Sequence, residues 1–231
     1  MNLCLLDSDS PCFPNPNTAV EEPDGLLAVG GNLSPSTLMS AYRQGIFPWY
    51  QDDDPILWWS PASRCVLIPE QLHISRSLRR CLRQGQFRVS TDEAFAQVVE
   101  ACAAPRTDDT GTWIIDEMIE AYCQLHQVGY AHSVEVWAGD KLAGGIYGVA
   151  VGSVFCGESM FSGRTNGSKV AMAYLCQWLI GQKFNLLDCQ INNPHLEQMG
   201  AQSMPREQYL NWLAAHRDSG LHWPEARPVS W

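Results

Sequence analysis

The sequence lacks the patterns that mark several common classes of protein. It contains no GxxxxGK[ST] segment, and no GxGxxG follows a predicted strand, which argues against the usual nucleotide-phosphate loops. The six histidines include no HExxH motif and the nine cysteines no CxxC pair, so neither a structural zinc site nor a disulfide framework is expected. We therefore predict a protein that uses no metal and no cofactor.

Lysine is also scarce, and the chain has an excess of acidic residues. Three of the fifteen cationic side chains are lysines, and the 231-residue chain carries a net charge of −10. A uniform charge of this sign would exclude general binding to nucleic acids. The charge is uneven, however: −7 over residues 1–62, +2 over 63–104 and −5 over 105–231. A basic segment therefore lies between two acidic ones.

The basic segment contains an arginine-rich helix, predicted from Ser75 to Gln84 and ended by Gly85. Four arginines recur in it at spacings of three and four and so share one face: Arg76, Arg79, Arg80 and Arg83. One interpretation is a solvated charged face. The other interpretation is phosphate binding, because no acidic residue lies between the arginines. The sequence supports these two interpretations about equally.

Long hydrophobic runs are absent. The longest weakly polar run, residues 142–157, contains five glycines, which suits a pair of strands better than a membrane span. The first seven residues have neither the basic nor the apolar stretch of a secretion signal. We expect a cytoplasmic, monomeric protein without membrane contact.

The order of predicted elements indicates the fold class. A turn-rich first sixty residues contain one short helix, from Ser34 to Gly45. Helices are predicted over 91–104 and from Gly111 to Val128; the other predicted elements are strands over 133–137, 142–151 and 154–161, a polar loop over 162–168, an apolar helix over 169–180 and a strand over 185–190. This order of α and β elements is similar to the core of the N-acetyltransferase fold.

Polar residues interrupt two of the apolar strands. Asp188 and Gln190 are two residues apart and so share a face, while Glu158 follows Gly157 in another strand. Such residues are either satisfied by buried hydrogen bonds or are catalytic. The segment Cys156 to Ser159 contains potential nucleophiles, but no histidine lies at a spacing typical of a hydrolase.

Several segments together resemble the leucyl/phenylalanyl-tRNA–protein transferase family. They occur in order along most of the chain and comprise residues 25–33 (GLLAVGGNL), 45–50 (GIFPWY), 59–61 (WSP), 111–114 (GTWI), 132–137 (HSVEVW), 155–162 (FCGESMFS) and 188–190 (DCQ). One departure is Ile146, where some relatives have Met, which bears on the fit of the donor side chain.

The resemblance implies a fold and a reaction. The chain would be α+β, with a small N-terminal domain over 1–62 and a C-terminal acetyltransferase-like (GNAT-like) domain over 63–231, built on a mixed, mainly antiparallel sheet. It would transfer Leu or Phe, and less readily Met, from aminoacyl-tRNA to a protein with an N-terminal Arg or Lys. The product would be marked for degradation in the N-degron pathway.

The resemblance also assigns residues to roles. Trp49 and Trp113 would hold the 3′-terminal adenosine, and Ile146, Phe155 and Met160 would form the pocket for the donor side chain. Gly157, Ser162 and Asn193 complete the expected substrate-binding set. The reactive centre would consist of Glu158, Asp188 and Gln190, and the tRNA phosphates would lie on the arginine face defined above.

The expected chemistry needs no metal, because an aminoacyl ester is already activated and an α-amine with a pKa of about 7.7–8.0 is partly neutral at pH 7. Asp188 would orient or deprotonate the amine, directly or through Gln190; a ribose hydroxyl is an alternative proton relay. Two other functions remain open: an acyl-CoA-dependent acyltransferase of the same fold, and a non-catalytic module that binds RNA or protein.

Overall fold

The computed structural model describes residues 3–104, 114–225 and 227–229. The first part of the chain forms a four-stranded sheet of order β1-β2-β4-β3, in which the β1–β2 pair alone is parallel. Its strands are β1 (Cys4–Leu6), β2 (Leu26–Gly30), β3 (Phe47–Pro48) and β4 (Leu57–Trp59). Helix α1 (Pro35–Tyr42) follows β2; the Ser34 side chain accepts the Thr37 N–H at its start, as the sequence predicts.

The rest of the chain forms an eight-stranded sheet of order β11-β5-β10-β9-β8-β7-β6-β12. Its strands are β5 (Ser63–Leu67), β6 (Arg88–Thr91), β7 (Ala131–Ala138), β8 (Lys141–Val151), β9 (Val154–Ser162), β10 (Leu186–Gln190), β11 (Gln202–Pro205) and β12 (Arg227–Val229). Every neighbouring pair is antiparallel except β9–β10. The predicted meander of three antiparallel strands, β7-β8-β9, is confirmed, and the chain is α+β.

Helices cover both faces of this larger sheet. They are α2 (Arg76–Arg83), α3 (Phe95–Ala103), α4 (Asp116–Gln127), α5 (Gly167–Gly181), α6 (Pro194–Gln198) and α7 (Arg206–His216); 3-10 turns lie at Pro16–Thr18 and Pro69–Gln71. Helices α3 and α4 pack in one hydrophobic cluster and α5 in a second. Helix α4 begins at Asp116, later than the predicted start at Gly111, which itself lies outside the described residues, and Ile115 before the helix is extended. Within the described part of the chain, the helices are too short or too polar to traverse a lipid bilayer.

The parallel pair β9–β10 produces the main irregularity of the sheet. The two strands pair from Leu186 opposite Val154 to Asp188 opposite Cys156, and the pairing stops there. Strand β9 continues beside β8 as far as Ser162. Because β10 does not follow it, a gap opens between the two strands beyond residue 188.

A shared hydrophobic cluster joins the N-terminal sheet to the larger one. It contains Leu38 and Trp58 from the first part of the chain, with Tyr122 and Tyr147 from the second, and all four are at most 1% exposed. The hydroxyls of Tyr42 and Tyr122 are 2.6 Å apart at this junction. The N-terminal sheet therefore packs directly against the elements that border the gap.

Candidate active site

A cavity of about 1170 Å³ lies where β9 and β10 separate. The segment after β3, strands β8, β9 and β10, and the loop after β10 all contribute to its wall. Eight of the residues predicted for the reactive centre and the substrate site line it: Trp49, Ile146, Gly157, Glu158, Met160, Ser162, Gln190 and Asn193. The irregular pairing of the sheet thus brings residues distant in sequence to one site.

The Glu158 carboxylate is held in this wall by neutral hydrogen-bond donors. The Tyr122 hydroxyl donates to Oε2 at 2.7 Å, and the Gln190 side-chain amide donates to Oε1 at 2.7 Å. Burial raises the pKa of Glu158 to about 7, against the lowering effect of the hydrogen bonds from Tyr122, Tyr42 and Gln190, while the charge of Asp188 raises it further. This carboxyl therefore changes its protonation state near neutral pH.

The Asp188 carboxylate lies in a different environment, because a cation neutralises it. Arg64 donates from Nε to Oδ1 at 2.8 Å and from Nη2 to Oδ2 at 2.7 Å. The Tyr209 hydroxyl donates to Oδ2 at 2.7 Å, and the Gln190 backbone N–H to Oδ1 at 2.9 Å. Both members of the ion pair are at most 1% exposed. Four donors occupy the positions at which a carboxylate accepts hydrogen bonds, so none is left for a substrate.

Gln190 connects the two carboxylates. The pairing of β10 with β5 shifts between Asp188 and Gln190, and Gln190 has a φ of 62°, in the left-handed region that a non-glycine residue seldom adopts. The backbone N–H bonds to one carboxylate and the side chain to the other. The bulge fixes the Gln190 amide against Glu158.

Sequence reasoning missed the residues that hold these carboxylates. Tyr42 and Tyr122 lie on the buried faces of α1 and α4, where their apolar spacing indicates only core residues. Arg64 and Tyr209 come from β5 and α7, and the Arg64 guanidinium lies 4.7 Å from the Phe47 ring centroid and 4.6 Å from that of Tyr209. Nothing in the local sequence indicates these partners, because they meet only in the folded chain.

Some predicted substrate residues lie elsewhere or have other contacts. Phe155 is 1% exposed, lies in the cluster of α5 with its ring 5.2 Å from that of Trp223, and is not part of the cavity wall. Trp113 lies outside the described residues. Ser162 Oγ accepts the Ser168 N–H at 2.8 Å. Asn193 Oδ1 accepts the Leu196 N–H at 3.0 Å, so these two side chains also cap the starts of α5 and α6.

The aromatic and basic surfaces are accessible. Trp49 is 40% exposed, with its ring 5.5 Å from that of Trp59.

The four arginines of α2 are exposed and line a shared groove of about 410 Å³ together with Gln84: Arg76, Arg79, Arg80 and Arg83. The opposite side of α2 is buried in the core through Leu78 and Leu82. The helix therefore presents its cations to solvent while its apolar side anchors it.

One group of potential metal ligands occurs among the described residues. Asp92, His126 and His132 each offer a ligand atom within 4.8 Å of the others. His132 Nδ1 lies 2.8 Å from Asp92 Oδ2, and His126 Nδ1 lies 2.7 Å from the Ala131 carbonyl oxygen. The spacing of the two histidines does not reveal this group, because Asp92 approaches from the end of β6. Each member already has a hydrogen-bond partner within the protein.

Two family models match this chain, one in each of its two parts. The model of the family described as "Leucyl/phenylalanyl-tRNA protein transferase" matches residues 66–214, and that of its N-terminal domain matches 31–62. Among solved structures, L-PGS from Bacillus licheniformis aligns with a TM-score of 0.39 and 11% identity, over 73% of this chain and 54% of that one, a likeness too small to bear on fold or function.

Three curated relatives carry the name leucyl/phenylalanyl-tRNA–protein transferase. The Idiomarina loihiensis protein is 54% identical over 89% of this chain and 87% of its own length. The Shigella dysenteriae protein is 53% identical, over 92% and 90% respectively, and the Shewanella baltica protein is 48% identical, over 100% and 95%. The chain belongs to the leucyl/phenylalanyl-tRNA–protein transferase family.

Proposed function

We propose that this chain transfers a leucyl or phenylalanyl group, and less readily a methionyl group, from aminoacyl-tRNA to a protein with an N-terminal Arg or Lys. The product would enter the N-degron pathway. The observation that carries the proposal is the Glu158–Gln190 pair, which lines a cavity with an apolar wall in a member of this family.

The donor occupies the gap between β9 and β10. We assign residues 1–62 to an N-terminal domain and residues 63–231 to an acetyltransferase-like (GNAT-like) domain. The parallel pair β9–β10, whose strands separate after Asp188, supports the second assignment. Ile146 and Met160 form the apolar end of the cavity, and the Trp49 face receives the 3′-terminal adenosine. We carry over Trp113 for the same adenosine, and Phe155 for the pocket, from the family resemblance alone.

Transfer needs one proton acceptor and correct positioning. The α-amine nitrogen attacks the ester carbonyl, a C–N bond forms, the ester C–O bond breaks, and the 3′ oxygen leaves with a proton. Glu158 is the proton acceptor, because its pKa of about 7 lies close to the 7.7–8.0 typical of an α-amine. Tyr122 and Gln190 hold the carboxylate in place through their hydrogen bonds.

Asp188 acts as a positioning residue in this scheme. Its ion pair with Arg64 and its hydrogen bonds from Tyr209 and the Gln190 backbone leave it without a lone pair for the amine. It therefore contributes to catalysis by fixing the bulge that carries Gln190. A ribose hydroxyl relays the proton to the leaving oxygen, since no lysine or arginine is among the described residues that line the cavity, and burial and the charge of Lys169 lower the pKa of the one histidine there, His195.

The two macromolecular substrates use opposite charges. The tRNA acceptor stem lies on the arginine face of α2 through its phosphates. The cationic terminus of the acceptor approaches an acidic chain with a net charge of −10, and ionised Glu158 attracts it within the cavity. We place the protein in the cytoplasm as a monomer.

A transfer assay tests the proposal. Labelled Leu-tRNA or Phe-tRNA is mixed with a peptide that begins with Arg and with an otherwise identical peptide that begins with Glu. We expect label on the Arg peptide alone, and no transfer after ribonuclease treatment. Transfer from acetyl-CoA, or tRNA binding without transfer, would contradict the proposal and support an acyl-CoA enzyme or a binding module instead.

A further inference from the structure

Two cysteines lie on adjacent strands beside the reactive centre, one in the cavity wall and one buried behind it. Cys189 lines the cavity between Asp188 and Gln190, and Cys65 is buried on the neighbouring strand β5. Both side chains pack in the hydrophobic cluster of α5, and each thiol perturbs the pKa of the other. Neither residue has a part in the transfer scheme above.

The backbone register explains why the thiols meet. Cys65 pairs with Gln190 and Val66 with Asp188, so Cys189 is the extra residue of the bulge and lies opposite the Cys65–Val66 peptide. Both thiols face the hydrophobic cluster of α5. Cys189 is therefore adjacent in sequence to the residue paired with Cys65, on the neighbouring strand, which places it within reach of a disulfide.

We infer that Cys65 and Cys189 form an oxidisable dithiol, a modification site whose disulfide form slows the transfer reaction. One S–H bond breaks on each cysteine and one S–S bond forms. Two protons and two electrons pass to the oxidant, a peroxide or a diazene such as diamide. Cys189 meets the oxidant in the cavity, and the Cys65 sulfur then closes the bridge.

The surroundings of the two sulfurs suit these roles. The Cys65 thiol donates to Asn192 Oδ1 at 3.7 Å, and the neighbouring Cys189 thiol lowers the pKa of Cys65. Contact with Cys65 and burial raise the pKa of Cys189. The initial oxidation of Cys189 is therefore the slow step, and Cys65 is the better thiolate for closing the bridge.

The disulfide affects transfer through the bulge. An S–S bond is about 2.05 Å long, shorter than any thiol–thiol contact, so its formation draws residue 189 towards β5. Gln190 follows directly, and its left-handed backbone and its hydrogen bond to Glu158 depend on the bulge. A displacement of about 1 Å at a reacting group lowers rates by about 100-fold. We expect the disulfide form to transfer at least about 10-fold more slowly.

To test this inference, the whole protein is oxidised with diamide. The inference rests on the proposed function only where transfer activity is measured. Peptide mass spectrometry is expected to find residues 65 and 189 cross-linked. Transfer is expected to fall and to recover with dithiothreitol. Failure of the reduced enzyme to transfer would contradict the proposed function alone, because the cross-link is measured separately.

Three variants complete the test. Cys65→Ser, and Cys65→Ala if the serine variant does not fold, are expected to transfer normally when reduced and to resist diamide. Cys12→Ser, which removes an exposed thiol, is the matched control and is expected to stay sensitive. The inference is overturned if no 65–189 peptide forms, if the cross-linked protein transfers at the normal rate, or if the Cys65 variants are as sensitive as the parent.

Discussion

Two buried carboxylates, one on β9 and one on β10, bond to the same glutamine, yet their environments differ. Asp188 pairs with Arg64 and accepts from three different residues, so its charge is neutralised within the core. Glu158 accepts from neutral groups, the Tyr122 hydroxyl and the Gln190 amide among them, and burial raises its pKa to about 7. A buried cation fixes one carboxylate as part of the architecture, and its absence leaves the other free to exchange a proton.

The strongest test of this difference is Glu158→Gln. We expect the transfer rate to fall by about 10²–10⁴-fold, because the amide accepts no proton. Wild-type transfer rises with pH through about 7 as Glu158 ionises, and a second rise follows the acceptor amine near 8. The variant should lose the lower inflection in single-turnover rates. Glu120→Gln on the exposed side of α4 is the control; an unchanged profile in Glu158→Gln would remove Glu158 as the base.

Asp188→Asn should act mainly on stability. It leaves the buried Arg64 guanidinium without its counter-charge, which costs about 3–5 kcal/mol of the free energy of unfolding, measured by urea denaturation. Tyr209→Phe removes one donor only and should cost about 2 kcal/mol. A variant Asp188→Asn that is as stable as wild type but inactive would show that Asp188 takes part in the chemistry itself.

The raised pKa of Glu158 should also make the stability of the protein depend on pH. The pKa of Glu158 is higher in the folded protein than its ordinary 4.5, so the folded state holds the proton more tightly. Its contribution is therefore present below about pH 4.5 and is lost as the pH rises through about 7. Relative to Glu158→Gln, the wild type should lose about 3 kcal/mol of unfolding free energy over that window. A pH-independent difference between the two proteins would contradict the raised pKa.

The arginine face makes a smaller contribution, through tRNA binding. Arg79→Gln with Arg80→Gln should weaken tRNA binding by about 10-fold at low salt and reduce the log–log salt slope by about 1–2. Lys141→Gln with Lys183→Gln removes the same charge from two other exposed residues and should change neither quantity. If the two double variants weakened tRNA binding equally, the arginine face would contribute only through the net charge of the protein and not as a specific binding site.

The smallest expected effect concerns the choice of donor. Met160→Ala enlarges the apolar end of the cavity, so transfer of β-branched Ile and Val should rise relative to Leu by about 10-fold or less. Phe155→Leu is an informative comparison, because Phe155 lies in the core outside the cavity wall. If Phe155→Leu changed donor choice and Met160→Ala did not, the pocket assignment would have to be reversed.

The meander from β7 to β9 and strand β10 were accessible from the sequence, because period-two patterns and glycine turns mark them, whereas the other four strands of the larger sheet were not predicted. The alternation of side chains also marked Asp188 and Gln190 as unusual. The separation of β9 from β10 was not accessible, since it depends on where pairing between distant segments stops. The partners Arg64, Tyr42 and Tyr122 were missed for the same reason, as their positions fit ordinary core residues.

The Tyr42–Tyr122 hydrogen bond has a consequence for modularity. Tyr42 belongs to the N-terminal part of the chain, yet its hydroxyl is hydrogen-bonded to the Tyr122 hydroxyl. The Tyr122 hydroxyl in turn donates to the Glu158 carboxylate. Phe47, from the same part, covers the Arg64 guanidinium. Residues 1–62 therefore do not form an exchangeable accessory unit. Grafting a foreign N-terminal segment onto the larger sheet would have to reproduce this tyrosine and this ring, which ties the evolution of the two parts together.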